Sequence, residues 1–93
     1  MNEVINQQRE VIDNIDKTLI YLLGRRFNAS LEIGRQKRLI GAAVLDLSRE
    51  AMILEERGEY AETQGVRSEL AKHIMQLIMD ESKTLQEQDG ESI

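Results

Sequence analysis

The 93-residue sequence has no cysteine and no proline, and its aromatic side chains number only three, two tyrosines and one phenylalanine. Without cysteine there is no disulfide, no thiolate nucleophile and no zinc–thiolate site, and the redox compartment is left open. Three aromatics cannot interleave with basic residues to make a stacking surface for single-stranded nucleic acid. No apolar run approaches the roughly 18 residues of a membrane span, and the polar start Met1-Asn2-Glu3 does not read as a signal peptide. A soluble, intracellular protein, cytoplasmic by expectation, follows from those absences. Basic residues are also few, 12 against 17 acidic, for a net charge of −5. A broad electrostatic footprint for nucleic acid or an anionic membrane is therefore not expected, and any cation with a function must act locally. His73 is the only histidine, and no carboxylates cluster around it at ligand spacing, so neither a metal site nor a Ser/His/Asp set is expected.

What is present is helical pattern. From Ile5 onward, Ile12, Ile15, Leu19, Leu22, Ala29 and Ile33 recur in steps of three and four, the seam of a helix that packs lengthwise on another. With no breaker between them, residues 3 to 38 make one helix of roughly 54 Å at ~1.5 Å per residue. A compact chain of this length has a diameter on the order of 30 Å, so the helix must project beyond its own core and its seam requires a partner subunit. Gly41 can end this helix and Asp46 can cap the next, which runs to about residue 63. Gln64-Gly65 is the next break, and a third helix spans about residues 67–87, leaving a tail of residues 88–93 that should fray. Gly24 and Gly34 interrupt the first helix at about 1 kcal/mol each against alanine, a cost that close helix approach would offset. The fold expected is all-α, one domain of three helices in residues 1–93.

Several polar residues break the pattern. Continuing the seam from Leu22 by four reaches Arg26, a cation in an apolar stripe. Burying it unpaired would cost several kcal/mol, so it needs a carboxylate, either from another helix as a salt bridge or from a ligand. Lys37 lies 11 residues further, about three turns, so the two cations share a face and their long side chains can converge on a small dianion. Arg9 lies 17 residues before Arg26, about 25 Å along the rod, and only a partner's Arg9 could join them. Lys37 and Arg9 each also read as ordinary solvated surface charge when taken singly. Asp46, Arg49 and Glu50 lie on one side of the first turn of helix two; capping explains Asp46, while Glu50 serves either the helix dipole or a ligand hydroxyl. Ser82 and Gln86, four apart, share a stripe with Met75 and Met79, so neutral donors border an apolar wall.

Together these positions resemble the all-helical chorismate mutases of the AroQ type. The resemblance runs through Gln8-Arg9-Glu10, Gly24-Arg25-Arg26, Ile33-Gly34-Arg35-Gln36-Lys37, Val44-Leu45-Asp46-Leu47-Ser48-Arg49-Glu50 and Glu81-Ser82-Lys83-Thr84-Leu85-Gln86. It implies an intertwined helical homodimer that rearranges chorismate to prephenate in aromatic amino acid (Phe/Tyr) biosynthesis, without metal or organic cofactor. By the same resemblance Arg26 and a partner's Arg9 would hold the two substrate carboxylates, with Ser82 assisting and Arg49 supporting electrostatically. Lys37 and Gln86 would contact the ether oxygen, and Glu50 with the backbone N–H of Asp46 would bind the ring hydroxyl, where Lys37 also helps. Ile33 and Met79 would be apolar pocket walls. The sequence departs from the family pattern at Ala43, where proline is common, at Asn28 and Ser30, often small and apolar, and at Lys83, where an apolar neighbour of the pocket is usual. Isochorismate pyruvate lyase and aminodeoxychorismate mutase share such a scaffold and remain alternatives, as does a non-catalytic helical dimerisation module.

Overall fold

The computed structural model describes residues 2–91 and contains three α-helices, α1 (Glu3–Leu39), α2 (Leu47–Thr63) and α3 (Ser68–Glu91). Each boundary has a local cause. Asn2 Oδ1 accepts the N–H groups of Val4 and Ile5 at 2.9 and 3.2 Å, satisfying two free donors at the start of α1. At the other end Gly41 takes a left-handed φ of +71°, and the N–H of Ala42 returns to the Lys37 carbonyl at 2.8 Å. Asp46 caps α2 by accepting the Arg49 N–H at 3.0 Å, and Gly65, at φ +75°, closes the turn into α3.

The layout is two short-range packings and one long projection. α3 lies against both α1 and α2, which do not pack on each other. The close approach of α1 and α3 is set at Gly34, the one buried residue of α1, where a Cβ would stand 3.2 Å from Gln86 Cγ. Gly24 has open space around it, so the close approach expected there does not exist within one chain. The covered stripe of α1 is also shifted from the apolar seam: Leu23, Arg26, Phe27, Ser30, Leu31, Gly34, Lys37 and Arg38 are buried or half-buried, while Ile12, Ile15, Leu19 and Leu22 are exposed. Every residue from Asn2 to Leu22 is exposed. The chain accordingly measures 59 × 28 × 14 Å with a radius of gyration of 17.0 Å, against about 12 Å for a compact chain of its length.

The tail expected to fray from residue 88 is helical through Glu91; Ser92 and Ile93 lie outside the described residues. A pair of arginines explains the difference. α3 has no basic residue in its last turn, so nothing in its own sequence offsets the negative end of its dipole. α1 supplies the charge instead. Arg35 grips the Asp89 carboxylate with Nε and Nη2, both at 3.0 Å, and Arg38 Nη2 adds a third contact at 2.7 Å while its Nη1 donates to the Gln86 carbonyl at 3.3 Å. The Arg35 guanidinium first, and Arg38 after it, hold the Asp89 carboxyl below the usual carboxylate range. A carboxyl lowered on folding stabilises the fold above its unfolded pKa of about 4, and that contribution is lost as pH falls through the lowered value. Asp89→Asn should therefore speed amide exchange several-fold over residues 87–91 at neutral pH, and acidification of the unsubstituted chain below about pH 4 should begin to do the same. Exchange at those amides unchanged by the substitution would show that the clamp does not hold the helix end.

Candidate active site

A cleft of about 310 Å³ opens between the C-terminal half of α1, the start of α2, the second half of α3 and the loop before α2. From α1 it takes Arg26, Ala29, Ser30, Ile33 and Lys37, spaced three, one, three and four apart, which is one face of a helix. Asp46, Arg49, Glu50, Ile53 and Arg57 come from α2 and its cap, and Met79, Ser82, Lys83 and Gln86 from α3. Five cations and two carboxylates thus line one cleft of a chain whose net charge is −5.

Arg26 decides what the cleft wants. Among the described residues it has no ion pair and no hydrogen bond, so the salt bridge to another helix that would have explained it is not made. Its charged neighbours are instead Arg57 and Arg49, which together with partial burial push the guanidinium below its ordinary value. Burial acts most strongly, and the two like charges add to it. An arginine stays protonated under such pressure, so three guanidinium groups gather in one cleft, of which, among the described residues, Arg57 alone has a carboxylate partner, Glu56 at 3.1 Å. An anion bound beside Arg26 would relieve that crowding. Arg57 was not singled out from the sequence, although Arg49, Ile53 and Arg57 at four-residue steps carry the signal of a shared face.

The remaining groups point the same way. Lys37 is half-buried and its Nζ lies 3.4 Å from the Val44 carbonyl in the loop; among the described residues no carboxylate stands within ion-pair distance, though its charge helps lower the Asp46 carboxyl. Ser82 Oγ is buried without a hydrogen-bond partner, a state that costs about 1–3 kcal/mol unless a ligand satisfies it. Met79, 5% exposed, forms part of the floor, and Ile33, 55% exposed, forms a lip. Met75, read from the sequence as part of the same stripe, lies outside the cleft lining.

Three contacts involve residues whose placement the sequence left open. Gln86 Nε2 donates to the Ser30 carbonyl at 2.8 Å and to Ser30 Oγ at 3.1 Å, so the amide is already engaged on the α1 wall. Asp46 Oδ1 accepts from the Ser48 hydroxyl at 2.9 Å as well as from the Arg49 N–H, and the Arg49 contact, then Ser48, holds its carboxyl below the usual range. Its side chain is thus spent on capping, which leaves its backbone as the part that can serve a ligand. Lys83 Nζ stands 2.9 Å from Glu50 Oε1, an ion pair across the cleft that lacks hydrogen-bond alignment. Arg9 sits apart from all of these, exposed on the projecting part of α1 about 25 Å of helix from Arg26.

A second cavity of about 270 Å³ adjoins the first around Arg38 and shares Lys83 and Gln86 with it. Its arginine is occupied by Asp89 and its lysine by Glu50, so among the described residues it offers no unpaired cation. Among the described residues there is no group of His, Asp or Glu side chains that could hold a metal ion, and no helix long and apolar enough to cross a membrane.

Comparison with known proteins gives the chain a family. A family described as chorismate mutase type II matches residues 8–87. The chain is 34% identical over 82 residues to a T-protein of Enterobacter agglomerans, an alignment covering 88% of this chain and 22% of that protein. It is 28% identical over 88 residues to a T-protein of Haemophilus influenzae, covering 95% and 23%. With a bifunctional chorismate mutase/prephenate dehydratase of Buchnera aphidicola it shares 32% over 78 residues, 84% of this chain and 20% of that one. The chain therefore spans less than a quarter of the length of these relatives.

Proposed function

We propose that this chain, which belongs to the chorismate mutase type II family, rearranges chorismate to prephenate, a step of aromatic amino acid biosynthesis. The observation that carries the reading is the unpaired Arg26, crowded by Arg49 and Arg57 beside an unsatisfied Ser82 hydroxyl, in a cleft that also holds Lys37. A small dicarboxylate answers each of those features. The reaction is a one-substrate pericyclic step, so it requires no nucleophile and no proton transfer. It requires orientation and fixed charge. Arg26 holds one carboxylate with Ser82 beside it, and Arg49 strengthens the local field. Lys37 and Gln86 face the ether oxygen, where negative charge builds as the C–O bond breaks, and Gln86 exchanges its Ser30 hydroxyl contact for that oxygen. Glu50 and the Asp46 backbone N–H take the ring hydroxyl.

The second carboxylate requires another cation, and we infer that it is Arg9 of the partner subunit in an intertwined homodimer. The support is the open seam of α1, where Val11, Ile12, Ile15, Leu19 and Leu22 are each between 47% and 55% exposed. A contiguous apolar face of that kind marks an interface. Purified protein incubated with chorismate should form prephenate, and incubated with isochorismate should form no salicylate. Salicylate from isochorismate, with no prephenate from chorismate, would replace the reading by a lyase.

Gln86 gives a sharper check. An amide donates to the ether oxygen at any ordinary pH, whereas a carboxyl donates only when protonated. Gln86→Glu should therefore move the activity maximum toward acid, with rates falling about tenfold per pH unit above the new carboxyl's pKa. An active variant with an unchanged pH profile would remove Gln86 from the ether oxygen.

A further inference from the structure

Lys83 has no part in the reading above, yet it reaches the same carboxylate that the ring hydroxyl is to use. Its stem rises from α3 one residue after Ser82, and its Nζ ends 2.9 Å from Glu50 Oε1 on α2, with Asp80 Oδ1 3.5 Å away on its own helix. Glu50 is the more enclosed partner, its side chain 17% exposed against 35% for Lys83. Pairing with Glu50 holds the lysine above its ordinary range, so the ammonium is charged throughout the neutral region. The Glu50 carboxylate therefore meets a substrate already half neutralised by a fixed cation.

Resting on the function proposed above, we propose that Lys83 is a specificity residue acting through Glu50: it makes the cleft accept a neutral ring hydroxyl and reject a ring ammonium at the same position. A free carboxylate would favour the cation. Chorismate with its ring hydroxyl replaced by an amine carries, near neutral pH, a primary ammonium that would bind a lone Glu50 through a charge-assisted hydrogen bond. With Lys83 in place, two ammonium groups would share one carboxylate a few ångströms apart, with like charges opposed in a poorly solvated wall. The hydroxyl suffers no such repulsion. It donates to the oxygen that Lys83 leaves free, while Lys83 holds the other. Discrimination thus arises from a repulsive element directed at the wrong substrate, which reaches further than pocket size can for two substituents of nearly equal volume.

The experiment compares kcat/KM for chorismate and for its 4-amino-4-deoxy analogue in the unsubstituted protein and in Lys83→Met, Lys83→Gln and Lys83→Arg. Methionine and glutamine remove the charge and keep an unbranched stem; arginine keeps the charge. The preference for chorismate should fall at least tenfold with methionine and glutamine, and arginine should restore most of it. A ratio of the two values is unaffected by partial unfolding, which scales both alike. An unmoved ratio, a ratio that moves toward chorismate, or a folded Lys83→Met inactive on both substrates would each overturn the role. No turnover of chorismate by the unsubstituted protein would instead be a failure of the proposed function itself.

Discussion

Lys37→Ala should lose on the order of 10²-fold or more in kcat, the size of effect seen when a donor aimed at developing charge is removed. The loss should fall on kcat more than on KM, because in the proposed reaction the charge at the ether oxygen is present only as the C–O bond breaks. The geometry favours a clean experiment. Lys37 lies on the cleft face of α1 with its Nζ 3.4 Å from the Val44 carbonyl, and it forms no ion pair among the described residues, so truncation leaves no buried charge unmatched. The helix content should be unchanged by circular dichroism. Lys37→Arg should rescue poorly, since a planar fork cannot occupy the position of a compact ammonium already close to the loop carbonyl. Near-normal kcat in a folded alanine variant would take Lys37 out of the chemistry.

The parts of this molecule that local rules govern were readable from the sequence. Gly41 and Gly65 take the left-handed backbone that ends a helix, and Asp46 caps α2, each a matter of one residue and its immediate neighbours. The cations of α1 were readable too, because Arg26, Ala29, Ile33 and Lys37 repeat at helical spacing and so share a face whatever surrounds it. What was not readable depends on pairs far apart in sequence. The last turn of α3 holds because Asp89 meets Arg35, 54 residues away, and Arg38, 51 residues away. No propensity within residues 88–91 announces that. Likewise the placement of Gln86 against Ser30 joins residues 56 apart. Arg26 shows the limit most clearly: periodicity revealed a cation on an apolar face, but whether another helix would pair it turned on which residues of α2 came near it. Two arginines press on it, and among the described residues no carboxylate pairs with it.

Lys83 illustrates the converse case, a residue that the family resemblance marks as a departure while its contact is invisible in the sequence. Replacing an apolar neighbour by lysine beside a cleft that is already cationic should add repulsion. Glu50 converts that repulsion into an ion pair at 2.9 Å. The pair is possible because α2 and α3 pack directly on each other, so a residue of the first turn of one can meet the second half of the other.

Arg9→Ala and Arg26→Ala should each reduce activity severely as homodimers, and a mixture of the two should recover about a quarter of full activity. The expectation rests on distance. Arg9 and Arg26 are separated by 17 residues of uninterrupted helix, about 25 Å, and Arg9 stands on the exposed part of α1 away from the cleft of its own chain. In the proposed dimer each site combines Arg26 of one chain with Arg9 of the other, so every site in either homodimer lacks one carboxylate-binding cation. Refolding an equimolar mixture makes about half of the dimers mixed, and each mixed dimer has one site with both cations and one with neither. Half of the dimers with one working site of two gives the quarter. Subunit exchange is to be shown independently, for instance with differently tagged chains recovered together. Given that exchange, activity no higher than in the separate variants would mean that both cations serve one site from the same chain. With 25 Å of rigid helix between them, that result would also require α1 to bend or break between Arg9 and Arg26.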